Sequence, residues 1–300
     1  MHSRPTDPDQ DLVQDQGREG QPIQGTLYVV ATPIGNLGDI TFRAVEILGQ
    51  VSMIAAEDTR HTGKLLARYQ IKKPLVSCHD HNETQRIDEF VDRLNRGEDI
   101  ALVSDAGTPL VSDPGFELIR ACTQAGIRVI PIPGPCAAVA GLSVSGLATD
   151  SFLFVGFLPR KAGRRRERLE ALAGEGSTLV FYESPRRILP LLGEMVKILG
   201  DRPGMVAREI TKIHEEYLRG SLSEIMAALG SRDSVKGECS LFVAGADLSH
   251  PPLMSDEALD RLVVKALEDS NQRTGDLAKE LAKKFKISRK SVYDRILALR

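Results

Sequence analysis

Between residues 26 and 146 the chain alternates short β-prone runs with amphipathic stretches, and this alternation constrains the fold more than any other feature. Runs such as Ile100-Ala101-Leu102-Val103 are apolar on both faces, so they predict a parallel sheet covered by helices. The predicted strands are Thr26–Pro33, Val51–Glu57, Pro74–His79, Ile100–Asp105 and Arg128–Pro133. Helical patterns follow them near 41–49, 59–70, 83–95, 114–125 and 135–146.

After Asp150 the pattern changes, because β-prone runs follow one another with fewer and shorter helical stretches between them. This arrangement predicts a mixed sheet in a second α/β domain. The predicted strands are Ser151–Leu158, Thr178–Glu183, Met205–Ile210, Glu215–Gly220 and Ser240–Ala244. The predicted fold class is therefore α/β, with one domain over residues 25–148 and a second over 149–247.

Both ends of the chain differ in composition from these two domains. Residues 1–24 are rich in Asp, Gln, Pro and Gly, so they predict a disordered tail and not a secretion signal. A proline-containing segment near 247–256 predicts a linker. Beyond it, a helix-turn-helix-like element is predicted within 255–300 from helical patterns at 256–269, 274–285 and 289–299.

Composition argues against several classes of protein. The 42% apolar content of the 300 residues allows a large core. With 39 basic and 41 acidic residues the formal net charge is −2, so affinity for nucleic acid must come from local clusters. No apolar run approaches the roughly 18 residues of a membrane-spanning helix. The four cysteines form no C-x-x-C pair, which favours a cytoplasmic protein without a zinc site or disulfides.

Three loops rich in proline and glycine follow predicted strands of the first domain. They are Thr32-Pro33-Ile34-Gly35, Asp105-Ala106-Gly107-Thr108-Pro109 and Pro133-Gly134-Pro135. Each alone is typical of an ordinary strand–helix connection. Because ligands collect at the carboxyl edge of open α/β sheets, the three together predict a backbone-lined pocket, in which Asp105 and Thr108 are candidates to bind ligand. The first loop lacks G-x-G-x-x-G spacing, so a dinucleotide site is not indicated.

Seven motifs spread over roughly residues 25–245 carry a family resemblance. They are V-A-T-P-I-G-N-L-G-D, A-A-E-D-T-R, S-C-H-D-H-N-E, V-S-D-A-G-T-P-L-V-S-D-P-G, P-G-P-C-A-A, F-Y-E-S-P-R-R and A-R-E-I-T-K. Together they resemble the tetrapyrrole-methylase superfamily and, within it, the bacterial ribosomal RNA small subunit methyltransferase I group. The resemblance implies that S-adenosylmethionine methylates a cytidine ribose 2′-oxygen in 16S rRNA of the 30S subunit. It also implies a homodimer, with no membrane or DNA partner.

Carried over by position, the resemblance implies two α/β domains with a cleft between them for the methyl donor. Asp105 joins this pocket as a candidate from its own loop. The other implied donor residues are Pro33, Gly35, Gly107, Thr108, Pro109, Val111, Gly134, Ala137, Phe157, Tyr182 and Glu209. Cys136 stands where superfamily members often carry a small hydroxyl residue.

Two charged motifs have both a functional and a structural interpretation. Glu57-Asp58-Thr59-Arg60 either places charges beside the acceptor ribose or caps a helix through Asp58, with Glu57 solvated. Cys78-His79-Asp80-His81-Asn82-Glu83 contains metal-ligating types, but adjacent residues on a strand end point in alternating directions, so no metal is expected. The RNA-contacting candidates here are Arg60, His79 and His81, and the alternative is turn and N-cap chemistry.

A run of cations follows the strand that ends at Leu158. Residues 160–168 hold six cations in nine positions. A solvated helix face and contact with RNA phosphates both explain such a run, and its position after a strand end favours phosphate contact. No aromatic residue interrupts the run, so base stacking is not expected. The RNA-binding candidates are Arg160, Lys161, Arg164, Arg165 and Arg166. Arg186 and Arg187 are further candidates that would extend the same basic surface.

The C-terminal segment is also basic, since residues 271–300 hold nine basic and three acidic residues. A helical appendage that packs on the body is one interpretation of this segment. We favour an accessory element that docks on RNA, because a single unit of this kind binds weakly alone and the rest of the chain resembles an enzyme.

Methyl transfer from a sulfonium is an in-line displacement, so positioning and exclusion of water are expected to dominate. A ribose hydroxyl is weakly acidic, and a base or cation must assist it. The polar candidates near strand ends are Asp58, Glu183, Glu209 and Lys212. Two other classes stay open: a porphyrinoid methylase, which should lack the basic segments, and a non-enzymatic nucleic-acid-binding regulator, against which the net acidity weighs.

Overall fold

Five parallel strands form the sheet of the first half of the chain, which confirms the prediction from its apolar runs. The strands lie in the order β3-β2-β4-β1-β5. They are β1 (Thr26–Val30), β2 (Met53–Ala56), β3 (Leu75–Ser77), β4 (Ile100–Val103) and β5 (Arg128–Ile132). A computed structural model provides these coordinates and describes residues 24–79, 82–247, 260, 263–264, 266–267, 273–285 and 289–299.

Helices cover both faces of this sheet. They are α1 (Phe42–Gln50), α2 (Thr59–Arg68), α3 (Glu83–Asn95) and α4 (Phe116–Gln124). Alternate residues of β4 enter different cores: Leu102 packs with Phe90 of α3, and Val103 packs with Leu48 of α1. The sheet is therefore buried on both sides, and only its strand ends can present groups to a ligand.

The second half of the chain forms a mixed sheet in the order β6-β7-β10-β8-β9, as predicted. Its strands are β6 (Phe152–Phe157), β7 (Thr178–Glu183), β8 (Pro203–Arg208), β9 (Glu216–Ser221) and β10 (Cys239–Val243). Strand β6 runs parallel to β7, and β10 runs antiparallel to both of its neighbours. All five residues of β10 are buried, so the last strand in the sequence is the centre of the sheet.

Four helices accompany this sheet: α5 (Ala137–Ser143), α6 (Ala162–Leu172), α7 (Ile188–Leu199) and α8 (Leu222–Gly230). The expectation of shorter helices is wrong, since α7 has 12 residues. In the sequence, Pro190 and Gly193 are signals against a long helix. In the structure Pro190 lies in the first turn of α7, where its missing N–H costs no intrahelical hydrogen bond. Leu192 and Met195 then bury the helix against the core.

The chain divides into two units after Cys136, whereas the sequence predicts a boundary after residue 148. Helix α5 belongs to the second unit. The N–H of Ala138 donates to Tyr182 Oη on β7 at 3.0 Å.

The C-terminal helices α9 (Thr274–Phe285) and α10 (Arg289–Leu299) share a separate apolar cluster. Leu277 and Leu281 of α9 pack there with Val292 and Ile296 of α10. The predicted tail, linker and helix at 256–269 fall largely outside the described residues. Across the described parts of the chain, no helix is long and apolar enough to cross a membrane.

Candidate functional site

The loops that follow β1 and β4 are joined backbone to backbone. The Thr32 N–H donates to the Gly107 carbonyl oxygen at 2.8 Å, and the Gly107 N–H donates to the Thr32 carbonyl oxygen at 3.0 Å. The buried Thr32 hydroxyl donates to the Ser104 carbonyl oxygen at 3.1 Å. Strand β1 therefore ends at Val30, three residues before the predicted Pro33, because Thr32 pairs with the β4 loop.

The loop that follows β5 is tied to the same sheet edge. The Thr108 hydroxyl donates to the Pro135 carbonyl oxygen at 3.1 Å. Gly107 has a φ of +88°, and a Cβ there would lie 3.4 Å from Ile34 Cγ2 and 3.8 Å from the Pro135 oxygen. The structure thus brings the three predicted loops together around Gly107. Of the donor candidates in these loops, Pro33 and Pro109 are buried, Val111 is half-buried, and Gly35 and Gly134 are exposed.

Backbone strain is concentrated in two segments that contain residues predicted to bind the methyl donor. The structure has five non-glycine residues with positive φ in its described ranges. Leu110 and Ser112 lie in the β4 loop, and Glu209 and Thr211 follow β8; the fifth is Gln70. Such conformations cost about 1–3 kcal/mol each and persist where surrounding contacts enforce them, which is common at functional sites.

Asp105 cross-links the ends of β2 and β4. Its Oδ1 accepts the Asp58 N–H at 3.1 Å, and its own N–H donates to Glu57 Oε2 at 3.2 Å. Glu57 is therefore a structural partner of the β4 loop and not merely a solvated carboxylate. One oxygen of Asp105 is already used in holding this edge.

Asp58 is the N-cap of α2. Its carboxylate accepts the Arg60 N–H at 2.8 Å and the Arg60 guanidinium at 2.7 Å. These hydrogen bonds to Arg60 hold the pKa of Asp58 well below its usual range. Asp58 therefore caps α2, as the structural interpretation of this motif predicts. A carboxylate with a lowered pKa is a weak proton acceptor.

The histidine motif after β3 is organised by Asn82 and Glu83. Asn82 Oδ1 accepts the His79 N–H at 2.8 Å. The buried Glu83 carboxylate accepts the Leu118 N–H at 2.8 Å and the Gly115 N–H at 3.3 Å, which caps α4 from a neighbouring helix. No cluster of three potential metal ligands occurs among the described residues. His81 and Asp80 lie outside those residues.

In the second unit, Tyr182 connects three of the predicted donor positions. Its hydroxyl accepts the N–H of Ala138, the residue after Ala137. Its ring lies edge-on to Phe157, with ring centroids 5.8 Å apart. Phe157 and Tyr182 therefore form one aromatic surface at the end of β6 and β7.

Glu183 ends β7 as a buried carboxylate. Its Oε1 accepts the Ser184 N–H at 2.7 Å, and its Oε2 accepts the Arg187 guanidinium at 2.6 Å. The same guanidinium nitrogen donates to the Leu158 carbonyl oxygen at 3.0 Å. Glu183 and Arg187 therefore hold the end of β6 next to the start of α7. Because the charge of Arg187 is neutralised by Glu183, Arg187 is a weaker candidate for RNA contact than the sequence predicts.

Glu209 and Lys212 form an ion pair in the strained segment after β8, with Lys212 Nζ 3.0 Å from Glu209 Oε1. Burial raises the pKa of Glu209, but the Glu238 N–H and Lys212 outweigh it, so the net shift is downward. Burial lowers the pKa of Lys212, and Glu209 and Glu238 outweigh it in the upward direction. Both groups are charged at neutral pH. Glu209 lines a cavity of about 560 Å³ with Arg232 and His214.

The cation run divides into paired and free charges. Arg165 is bidentate to Glu194 at 2.5 and 2.8 Å, and Arg166 pairs with Glu170 at 2.8 Å. These contacts leave a smaller basic surface than the sequence predicts. In the described ranges we find no ion pair for the exposed side chains of Arg160, Lys161, Arg164, Arg168 and Arg186.

Sequence reasoning did not predict the contacts of three residues that shape these sites. Thr32 joins two loops, Glu57 holds the β4 loop, and Glu238 partners Lys212 at 3.2 Å. Thr32 and Glu57 belong to predicted motifs, so their position was a usable signal, although the sequence does not name their partners. Glu238 lies 29 residues from Glu209 in the sequence, and only the pairing of β8 with β10 brings them together.

Comparison with known proteins places this geometry in context. Residues 26–226 match the sequence profile of Tetrapyrrole (Corrin/Porphyrin) Methylases. A ribosomal RNA small subunit methyltransferase I from Synechocystis is 48% identical over 92% of this chain and 98% of its own length. The enzyme of that name from Pasteurella multocida is 51% identical over 80% of this chain and 86% of its own length.

Solved structures agree in fold. Uroporphyrin-III C-methyl transferase from Thermus thermophilus, complexed with S-adenyl homocysteine, aligns with a TM-score of 0.53 at 19% identity, covering 73% of this chain and 97% of its own. Diphthine synthase aligns with a TM-score of 0.55 at 12% identity, covering 73% and 90%. At these identities the likeness supports the two-sheet α/β architecture.

Proposed function

Because this chain belongs to the tetrapyrrole (corrin/porphyrin) methylase family, we propose that it methylates the ribose 2′-oxygen of a cytidine in 16S rRNA. It is a methyltransferase of small-subunit ribosomal RNA. Relatives that it matches over most of their length carry that name. The methyl donor is S-adenosylmethionine, in keeping with the family and with the neighbour bound to S-adenyl homocysteine. The choice of a cytidine 2′-oxygen, the 30S particle as substrate and action in the cytoplasm belong to the proposal.

The joining of three loops around Gly107 is the observation that carries this proposal. Main-chain bonds between Thr32 and Gly107, and the bond from the Thr108 hydroxyl to Pro135, fix these loops to one another. Their backbone can approach a bound molecule closely, because Gly107 carries no Cβ. S-adenosylmethionine is the ligand proposed for this edge, and its proposed contacts there are Pro33, Gly35, Asp105, Gly107, Thr108, Pro109, Val111 and Gly134. Ala137, Phe157, Tyr182 and Glu209 stay predictions from the resemblance.

When bound, the donor supplies an electrophilic methyl group on a sulfonium. The four polar candidates are held as partnered groups: Asp58 by Arg60, Glu183 by Arg187, and Glu209 by Lys212. Lys212 keeps its proton at neutral pH because its pKa is raised. These groups suit electrostatic positioning better than proton abstraction, so we propose that orientation of the acceptor hydroxyl supplies most of the rate.

Methyl transfer to RNA tests the function directly. Labelled S-adenosylmethionine is incubated with purified 30S subunits and with naked 16S rRNA, and the product is mapped by mass spectrometry. The expected product carries the label on a cytidine ribose. Label on a base would contradict the 2′-oxygen assignment. Label on a porphyrinoid substrate with none on RNA would favour the alternative methylase.

Gly107→Ala tests the loop edge. We expect calorimetry to show at least a ten-fold loss of S-adenosylmethionine affinity, because the φ of +88° disfavours Ala and the loop must leave this conformation to relieve the strain. Gly126→Ala is the matched control, since Gly126 has a φ of +70° with open space around it. Both variants should lose about 1 kcal/mol of stability. Equal donor affinity in the two variants would remove Gly107 from the site.

A further inference from the structure

A groove on the second unit joins an aromatic ring to two free cations. It lies between the end of β6 and helix α6, and we call it the α6 groove. Val155, Leu158 and Ala171 form its apolar part, with Phe157, Arg164 and Arg168 around them. Its volume is about 530 Å³, inside the range of roughly 300–1,000 Å³ typical of small-ligand sites.

Helix α6 directs its cations into this groove by its spacing. Arg164, Arg168 and Ala171 lie on one face, three and four residues apart. A neighbouring face of the helix is fixed, because Leu169 is buried in the core and Arg165 is bidentate to Glu194 of α7. Arg164 and Arg168 are therefore held at the groove by the packing of the whole helix.

Phe157 is presented to solvent by the end of β6. Its side chain is 59% exposed, although it is a large apolar group. A register shift between Phe154 and Gly156 interrupts the pairing of β6 with β7, and such bulges re-aim the side chains beside them. The edge-on contact with Tyr182 at 5.8 Å then holds the ring in place. The end of β6 thus presents an ordered aromatic ring to solvent.

The charge of the groove favours an anion. Among the residues that line the groove, Arg164 and Arg168 are cations and Glu167 carries the one carboxylate. The exposed Arg160 and Lys161 extend the positive charge toward the start of α6. A flat ring beside unpaired cations matches the two parts of a nucleotide, a base that stacks and a phosphate that attracts guanidinium groups.

We propose that the α6 groove binds one unpaired nucleotide of the RNA substrate, with its base on Phe157 and its phosphates beside Arg164 and Arg168. This inference rests on the proposed function, because it assumes an RNA substrate. It adds base stacking, which the cation run alone does not predict, and it adds Arg168 to the RNA contacts. It also differs from the resemblance, which assigns Phe157 to the methyl donor.

Binding of a short fluorescein-labelled oligocytidylate to the full chain tests the stacking. Phe157→Leu should weaken binding by about 5- to 150-fold, the range that corresponds to loss of base–aromatic stacking. The penalty should disappear with an otherwise identical abasic oligonucleotide, because only the base contacts the ring. Phe152→Leu is the matched control, an exposed phenylalanine at the other end of the same strand. It should bind both oligonucleotides as the unsubstituted chain does.

The charges are tested separately, so the proposal does not depend on one variant. Arg164→Gln with Arg168→Gln should flatten the plot of log affinity against log salt by about 0.7 for each lost phosphate contact. Lys197→Gln removes an exposed charge from α7 and should leave that slope unchanged. An unaltered slope in the double variant would overturn the phosphate assignment.

Two further outcomes distinguish the groove from the proposed function. Phe157→Leu should keep its affinity for S-adenosylmethionine in calorimetry. A loss of donor affinity with unchanged oligonucleotide binding would overturn the proposal and return Phe157 to the donor site. If the unsubstituted chain methylates rRNA but Phe157→Leu binds and methylates equally well, the groove assignment fails and the function stands. If no RNA is methylated or bound, both fail.

Discussion

At the scale of single residues, Glu216 shows how one carboxylate can order a cationic surface. It begins β9 and accepts hydrogen bonds from both Arg208 and Arg232. Arg232, followed by Arg208, lowers the pKa of Glu216 from 4.5 to about 2. A lowered pKa stabilises the folded state above the unfolded value, and this contribution is lost as pH falls from about 4.5 through about 2.

We therefore expect Glu216→Gln to lose about 2 kcal/mol of unfolding free energy at pH 7, because Arg208 is left buried without its carboxylate. The difference from the unsubstituted chain should shrink below pH 4.5 and vanish near pH 2. Urea denaturation at several pH values measures it. Glu170→Gln, in an exposed pair, should cost less than about 1 kcal/mol. A loss that does not depend on pH would show that the ion pairs of Glu216 are not its source.

At the scale of elements, Glu83 couples two helices of the first unit. It sits in the first turn of α3, yet its carboxylate accepts N–H groups at the start of α4. The N-cap of α4, Gly115, has no side chain that could accept these first N–H groups. A helix start that cannot cap itself is therefore completed by its neighbour.

Glu83→Ala should cost about 2 kcal/mol, since it leaves two buried N–H groups unsatisfied. Glu117→Ala is the control, because Glu117 lies in the first turn of α4 but is exposed and pairs with Arg120 on its own helix. Its cost should stay below about 1 kcal/mol. Chemical denaturation measures both. Equal losses would mean that the charge near the helix start matters and the buried contact does not.

The sequence predicts helices and strands better than it predicts contacts between side chains. Each β-prone run lies where a strand forms, because apolar periodicity follows directly from burial. Helix α7 was underestimated, since Pro190 is tolerated only by its place in the first turn. Arg165 and Arg164 look alike in the cation run, and only the packing of α6 on α7 commits one to Glu194 and leaves the other free. Phe157 lies just outside that run, so only the fold shows that it lines one groove with Arg164 and Arg168.

At the scale of the whole molecule, the C-terminal helices form a small apolar cluster of their own. Removal of residues 251–300 should leave donor affinity unchanged and raise the Michaelis constant for 30S subunits several-fold. The reason is that basic helices would contribute uniform binding and not contacts specific to the transition state. Steady-state kinetics and calorimetry on both chains measure this.

A truncated chain that loses turnover number would place these helices in the active site, and unchanged kinetics would remove them from substrate capture. The same two samples test the predicted homodimer by sedimentation. A monomer in both would contradict it. A dimer that only the full chain forms would give the helices an assembly role instead.

The position of β10 has a consequence for synthesis. This strand is the last of its sheet to be translated, yet β7 and β8 meet only through it. A chain that stops before Cys239 holds two strand pairs, each with an unpaired inner edge. Such edges recruit other chains. A nonsense codon between Ser221 and Cys239 should therefore yield an insoluble fragment and not a half-active enzyme, and the nascent protein depends on prompt completion of its message.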